Sequence, residues 1–151
     1  DEKYSMYEKT SLTIAIDEGK FEIVQFLLNI PGIDVNFPSK KNQLDSWTEY
    51  TPLQIAVFTN NADIVKLLLS TPGIDVNKKS TNQINSGLMF YYNALHVAII
   101  NKKYYRVKEE ELKKIHNILK ILLDCKKIDV NSKYTKRDIY DFEKKRKICK
   151  L

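Results

Sequence analysis

Three short sequence blocks recur three times, in the same order, along this chain of 151 residues. The first block reads Thr-Ser-Leu-Thr-Ile-Ala at 10–15, Thr-Pro-Leu-Gln-Ile-Ala at 51–56 and Asn-Ala-Leu-His-Val-Ala at 93–98. An apolar run follows each copy, at 23–28, 64–69 and 118–123, and Ile-Asp-Val-Asn follows each run, at 33–36, 74–77 and 128–131. The first block returns after 41 residues and again after 42. Such a period predicts stacked units that bury their apolar faces against one another.

Local signals in the second unit predict a pair of short helices. Thr51 suits the N-cap of a helix, Pro52 suits its first position, and Gln54 three residues after the cap completes a capping-box pattern. Gly19 and Asn60 occupy equivalent places after the first helix of their units, where a left-handed residue closes a helix. The run 64–69 is apolar at five of its six positions, so we expect neighbouring units to cover this second helix on two sides.

The third unit departs from this pattern by an insertion of about 12 residues between its first block and its apolar run. We interpret the insertion as a loop at 102–106 followed by a second helix that is lengthened by about two turns.

The blocks resemble the ankyrin repeat, whose signature is Thr-Pro-Leu-His-x-Ala, then an Ile-Val-x-Leu-Leu-Leu helix, then a Gly-Ala-Asp-Val-Asn turn. The resemblance covers about residues 5–131 and implies an all-α solenoid of stacked helix-turn-helix units, with no sheet beyond short loop hairpins. It implies one domain over 1–151, with repeats at about 5–36, 46–77 and 88–131 and a C-terminal capping helix with a basic tail over 132–151. The family period is near 33, and most of the additional residues lie in the loops 37–50 and 78–92.

The sequence offers no constellation of catalytic or metal-ligating residues. His96, His116, Cys125 and Cys149 lack the spacing of a zinc site, and no phosphate-binding loop or nucleophile motif is present. We therefore expect no enzyme activity, no metal, no cofactor and no small-molecule substrate. Two distant cysteines favour free thiols and an intracellular, cytoplasmic location, and nothing resembles a signal peptide or a membrane span. Because the chain begins without Met, we expect it to be a piece of a longer protein.

The ankyrin resemblance implies a non-catalytic, monomeric scaffold that binds another protein or peptide through its loop tips and the concave face of its first helices. The positions that the resemblance assigns to partner binding are Tyr7, Asp17, Trp47, Tyr50, Phe58, Thr59, Met89, Phe90, Tyr92 and Ile100. Most of them in the second and third units are aromatic or apolar, and such side chains dominate interface hot spots. The competing interpretation is that the aromatic residues fold inward under the long loops, together with Phe37 and Leu44. For Trp47 the two interpretations carry equal weight.

The net charge of +6 is unevenly distributed along the chain. Residues 132–151 carry eight basic and three acidic side chains, a net charge of +5, whereas the rest is nearly neutral with 17 basic and 16 acidic groups. A neutral body lacks the positive surface on which nucleic-acid affinity depends, so nucleic acid is an unlikely partner for it. The alternative function is polyanion binding or nuclear localisation through the tail, at Lys144, Lys145, Arg146 and Lys147. A solvated helix face explains the same charges.

Overall fold

The computed structural model describes residues 6–43, 46–84, 88–101 and 109–138. The helices in these ranges are α1 (Ser11–Asp17), α2 (Phe21–Leu28), α3 (Pro52–Phe58), α4 (Ala62–Ser70), α5 (Ala94–Asn101) and α6 (Glu109–Asp124). The strands are β1 (Met6–Glu8), β2 (Ser39–Gln43), β3 (Ser46–Tyr50), β4 (Ser80–Ile84), β5 (Leu88–Tyr92) and β6 (Thr135–Asp138).

Each first helix begins at a side-chain cap, which the sequence predicts for Thr51 in the second unit. In the second unit, the Gln54 backbone N–H donates to Thr51 Oγ1 at 3.3 Å, and the Thr51 N–H donates to Gln54 Oε1 at 2.9 Å. These reciprocal bonds satisfy backbone donors that a helix start otherwise leaves unpaired. The predicted left-handed residues are also confirmed, because Gly19 has φ +66° and Asn60 has φ +55°.

The helices form two layers that run through all three units. The first helices α1, α3 and α5 contact one another in that order, and the second helices α2, α4 and α6 form the other layer. Ile64, Val65 and Leu68 of α4 are fully buried, so this helix is covered by both neighbours, as predicted. The prediction of a lengthened helix in the third unit is confirmed, since α6 has 16 residues where α4 has nine. The loop at 102–106 lies outside the described residues.

The repeated Ile-Asp-Val-Asn block joins each unit to the next through its asparagine. The Asn36 side-chain amide donates to the Gly73 carbonyl at 2.7 Å, and its oxygen accepts from the Asp75 N–H at 2.8 Å. Asn77 makes the same pair of bonds, both 2.8 Å long, to the third unit. The asparagine therefore recurs because its side chain satisfies both a donor and an acceptor of the following turn.

The prediction of an all-α fold is wrong, because the described residues also contain a six-stranded antiparallel sheet in the order β1-β2-β3-β4-β5-β6. The hairpins β2–β3 and β4–β5 lie in the two long loops, and they are joined where Trp47 pairs with Gln83 and Thr48 with Asn82. The physical reason is that loops lengthened by several residues form five-residue strands, and stacked units bring their free edges side by side. The fold is therefore mixed α/β.

The C-terminal capping helix is corrected in part. Thr135–Asp138 is not helical but forms β6, which extends the sheet by pairing with β5. Residues 139–151, which include Lys144 and Lys147, lie outside the described residues. Where the structure describes the chain, none of the helices is both long and apolar enough to cross a bilayer.

Candidate protein-binding site

A groove of about 430 Å³ lies between the sheet and the first-helix layer, where the first unit meets the second. Strands β1, β2 and β3 supply one wall, and helices α1 and α3 supply the other. Four residues that the sequence assigned to partner binding are brought together here, namely Tyr7, Asp17, Tyr50 and Phe58.

Strand register explains which side chains enter the groove. Tyr7 lies opposite Lys41 across β1 and β2, and Lys41 lies opposite Thr48 across β2 and β3. Directly opposed residues of antiparallel strands project to the same face of a sheet. Ser39 and Tyr50 form a second opposed pair on this face, two residues along each strand. The groove therefore presents one face of the sheet to the helices.

Aromatic rings form the apolar part of the groove. The Tyr50 ring centroid lies 5.8 Å from that of Phe58 and 5.9 Å from that of Tyr92. Phe58 is 46% exposed, whereas Tyr92 is 6% exposed and its hydroxyl donates to the Glu49 carbonyl at 3.2 Å. Burial raises the pKa of the Tyr92 hydroxyl above its usual value, and the neighbouring Tyr50 adds to the effect. Tyr92 is thus a neutral side chain that packs against Tyr50, while Phe58 remains accessible.

Lysines give the groove a positive charge. Lys9 Nζ lies 2.6 Å from Asp17 Oδ2 and 5.6 Å from the Tyr7 ring centroid. Lys41 Nζ lies 5.2 Å from the same ring, a distance at which a cation is attracted to the ring face. Within the described ranges, neither Lys40 nor Lys41 forms an ion pair with a carboxylate. Because Lys40 alternates with Lys41 along β2, its side chain projects to the other face of the sheet. The groove therefore carries one cationic group, Lys41, that no acidic side chain of the described residues neutralises.

Ser39 places a polar atom without a partner at the groove. Its side chain is buried, and its Oγ forms no hydrogen bond within the part of the chain that is described. The equivalent Ser80 hydroxyl donates to the Gln54 side chain. The first unit has Thr13 at the position of Gln54, and that short hydroxyl bonds to the Thr10 carbonyl at 2.9 Å instead. Ser39 consequently has no hydrogen-bond partner among the residues that the structure describes, and a buried hydroxyl without a partner is costly.

Two predicted site residues, Trp47 and Met89, lie on the opposite face of the sheet. The Trp47 indole N–H donates to Gln83 Oε1 at 2.7 Å, and Lys40 Nζ lies 4.8 Å from the centroid of its ring. Met89 Sδ accepts from the Tyr91 hydroxyl at 3.6 Å. These side chains support the strands of the joined sheet at a distance from the groove.

The remaining predicted site residues lie apart from the groove, which they do not line. Thr59 ends α3, and its hydroxyl donates to the Ile55 carbonyl at 3.0 Å. Phe90 packs against the core and against the Tyr134 ring at 6.0 Å, and Ile100 lies half-buried near the end of α5.

The alternative interpretation, in which the aromatic residues of the long loops fold inward, holds for only some of these residues. Tyr92 is buried and Trp47, Tyr50 and Phe90 are half-buried, but Phe37 is 52% exposed. The interpretation of Phe37 as a core residue is therefore wrong, and Leu44 lies outside the described residues.

Sequence reasoning missed Ser39, Lys40, Lys41 and Ile55 as groove residues. The available signal for Ser39 was the mismatch between Thr13 and Gln54 at equivalent positions, combined with the recurrence of serine at 39 and 80. The lysines gave no such signal, because their position depends on strand register rather than on the repeat.

His96 has a structural role at the start of α5, whereas no contact among the described residues assigns one to His116. The His96 backbone N–H donates to Asn93 Oδ1 at 3.1 Å, and the Asn93 N–H donates to His96 Nδ1 at 3.3 Å, so the pair repeats the helix-start bonds of the second unit. His116 lies exposed on α6. Among the described residues, His, Cys, Asp and Glu side chains form no group of three that could hold a metal ion.

Stacked helix pairs joined by hairpins define the class of this protein as a repeat solenoid with an added sheet. Comparison with known protein families gives a match to the ankyrin repeat model, in three copies, over residues 2–80 and 38–134. The chain therefore belongs to the ankyrin repeat family. Ankyrin repeats are in general protein–protein interaction modules, and the family is typically non-catalytic. A search of the curated proteins gave no match.

Proposed function

We propose that this chain is a non-catalytic binding module that holds a segment of a partner protein in the groove between the sheet and the first helices. The observation that carries the proposal is the combination, in a single groove, of accessible aromatic rings, the uncompensated Lys41 and a buried hydroxyl that has no partner among the described residues. Each of these features favours contact with a bound ligand over contact with water. Together they favour a ligand that carries both an apolar and an acidic group.

The chemistry of the groove favours an acidic segment with an apolar anchor. An apolar side chain of the partner packs against Phe58 and Tyr50, where aromatic rings supply contact area at low entropic cost. An adjacent Asp or Glu of the partner pairs with Lys41. The Ser39 hydroxyl donates to a carbonyl of the bound segment, which removes the cost of leaving that hydroxyl unpaired.

The second candidate is polyanion binding or nuclear localisation through the tail. It is supported by the net charge of +5 over residues 132–151, most of which lie outside the described residues. We also propose a location inside the cell, because two widely separated cysteines favour free thiols.

Peptide selection on the immobilised full chain tests the groove. We expect a random displayed library to yield peptides with Asp or Glu beside an aromatic or aliphatic residue. Removing the exposed ring in Phe58→Ala should weaken the selected peptide about 30-fold, as loss of a hot-spot anchor of about 2 kcal/mol does. Lys41→Glu should also weaken binding of the selected peptide. The loss of affinity should grow as the salt concentration is lowered, because repulsion of the acidic peptide replaces attraction.

Matched controls separate the groove from general effects. Phe37→Ala removes an exposed ring elsewhere, and Lys120→Glu makes the same charge change on α6. Both should bind the selected peptide like the original chain. Unchanged affinity in Phe58→Ala and Lys41→Glu, with circular dichroism showing folded protein, would place the binding surface elsewhere.

A further inference from the structure

Equivalent residues of the three first helices differ in exposure according to their place in the stack. Ile14 of α1 is 48% exposed, whereas Ile55 and Val97 at the same position of α3 and α5 are 8% and 5% exposed. The backbone setting is the same in each unit, so local structure does not explain the difference. The first unit differs in having no described unit before it.

The second helices show the same difference more strongly. Ile23 of α2 is 53% exposed, whereas its equivalents Ile64 of α4 and Ile118 of α6 are 0% and 1% exposed. Phe26 and Ile30 are exposed beside Ile23 and widen the apolar surface. We call Ile14, Ile23, Phe26 and Ile30 the leading face.

A converse pattern at the other end supports this interpretation. Ile16 of α1 and Val57 of α3 are fully buried, whereas Ile99 at the equivalent position of α5 is 55% exposed. This position therefore faces the following unit, as the Ile14 position faces the preceding one. At both ends of the stack, an apolar side chain is therefore exposed on the side where the described residues provide no adjacent unit.

Among the described residues, the sheet ends at β1, at the same end of the molecule. Strands β3 and β5 each precede a first helix and pair with a strand on both sides. Strand β1 precedes α1 in the same way, but the described residues provide a partner only on its β2 side. Both the helix layers and the sheet therefore stop at an interface that is complete between the other units.

We propose that the leading face is a docking surface for a further ankyrin helix pair, whose hairpin pairs with β1. The incoming unit needs apolar side chains at its Ile16 and Val24 positions, because those are the residues that each unit presents to the one after it. The chain's own second unit has these features, since Val57 and Val65 are buried at the equivalent positions. Its nine-residue helix α4 is also close in length to the eight residues of α2.

A fusion of the chain's own second unit tests this proposal. Placing a copy of residues 39–83 directly before Asp1 puts the copied Thr51 42 residues ahead of Thr10, which is the spacing from Thr51 to Asn93. We expect the fusion to raise the Tm by about 5 °C or more, as burial of an apolar interface does. We also expect slower hydrogen exchange in α2 of the original chain.

Variants of the leading face make the result specific. The double variant Ile14→Lys, Ile23→Lys should leave the Tm of the unfused chain nearly unchanged, because both side chains are exposed, and should abolish the gain from fusion. Phe26→Lys tests the same face should the double variant not fold. The matched control Ile99→Lys lies at the far end and should keep the gain.

Three results would overturn the proposal. The first is a fusion that gives no rise in Tm, and the second is a rise that the leading-face variants retain. The third is concentration-dependent association of the unfused chain that Ile14→Lys, Ile23→Lys removes, because a second copy would then be the occupant. Sedimentation velocity measures this association.

Discussion

Gln54 shows how one buried polar residue holds several elements together. Its side-chain oxygen accepts from the Thr51 N–H at 2.9 Å and from the Ser80 hydroxyl. Its side-chain nitrogen donates to the Tyr92 carbonyl at 2.8 Å and reaches the Lys78 carbonyl at 3.5 Å. A single amide thus links the start of α3 to the hairpin β4–β5, and all of its bonds except the one to Lys78 are buried.

Truncating this side chain should be costly. We expect Gln54→Ala to lower the free energy of unfolding by about 3 kcal/mol, because it leaves several buried groups without partners. Urea denaturation measures the change. Gln25→Ala removes an exposed glutamine from α2 and should cost less than about 0.5 kcal/mol. Equal effects of the two substitutions would show that the network contributes little.

His96 should make stability depend on pH. Burial lowers the pKa of His96 below its usual value of 6.5; a hydrogen bond with the Ser132 backbone opposes this, and the charge of Lys79 adds to it. The unfolded chain therefore binds more protons than the folded chain in the range between the lowered pKa and 6.5. The free energy of unfolding should therefore be unaffected by His96 above pH 6.5 and should fall as the pH drops through that range.

The second unit supplies the test, because it has Gln54 at the position of His96. We expect His96→Gln to reduce the loss of Tm between about pH 7.5 and pH 5.5. His116→Gln removes the exposed histidine of α6 and should keep the original pH dependence. A pH dependence that is the same in all three proteins would assign the effect to other groups.

Among the elements, the junction between the two hairpins is the narrowest part of the sheet. Strands β3 and β4 share two paired positions, Trp47 with Gln83 and Thr48 with Asn82, whereas each hairpin has five. Side chains reinforce both positions, since the Trp47 indole donates to Gln83 and the Thr48 hydroxyl donates to Asn82 Oδ1 at 3.1 Å. The union of the hairpins therefore depends on these side chains as well as on the backbone.

Substitution at Trp47 should reveal this dependence. We expect Trp47→Phe to lower the free energy of unfolding by about 1 kcal/mol, since it removes one hydrogen bond. Trp47→Ala should cost about 2 kcal/mol or more, because the half-buried ring is also lost. Chemical denaturation measures these changes in the free energy of unfolding. Phe37→Ala, which removes an exposed ring, is the control. A cost for Trp47→Ala no larger than that of the control would mean that the junction does not need the indole.

At the scale of the whole molecule, strand β1 belongs both to the groove and to the proposed docking interface. Tyr7 of β1 lines the groove, while the edge of β1 that has no partner among the described residues faces the side on which a further unit would dock. A hairpin paired with that edge would lengthen the sheet wall of the groove. The two proposals remain separable, because Phe58 and Lys41 belong to the groove and Ile14 and Ile23 to the leading face.

The sequence by itself determined the helical units, because their signals are local or repeat with a fixed period. Thr51 with Gln54 identified a helix start, Gly19 and Asn60 identified two helix ends, and the apolar run at 64–69 identified a helix covered on both sides. The ankyrin resemblance also assigned Tyr7, Asp17, Tyr50 and Phe58 to partner binding, and the structure places these four in one groove.

The tertiary structure alone decided the joined sheet, the groove chemistry and the exposed end face. Trp47 meets Gln83 only because stacking of the units aligns two hairpin edges that are far apart in the sequence. Lys41 enters the groove, and Lys40 reaches the Trp47 ring, because of strand register, which a shift of one residue would reverse. Ile14 and Ile55 are both isoleucines at equivalent positions of their units. Their exposure differs because burial depends on which unit lies alongside.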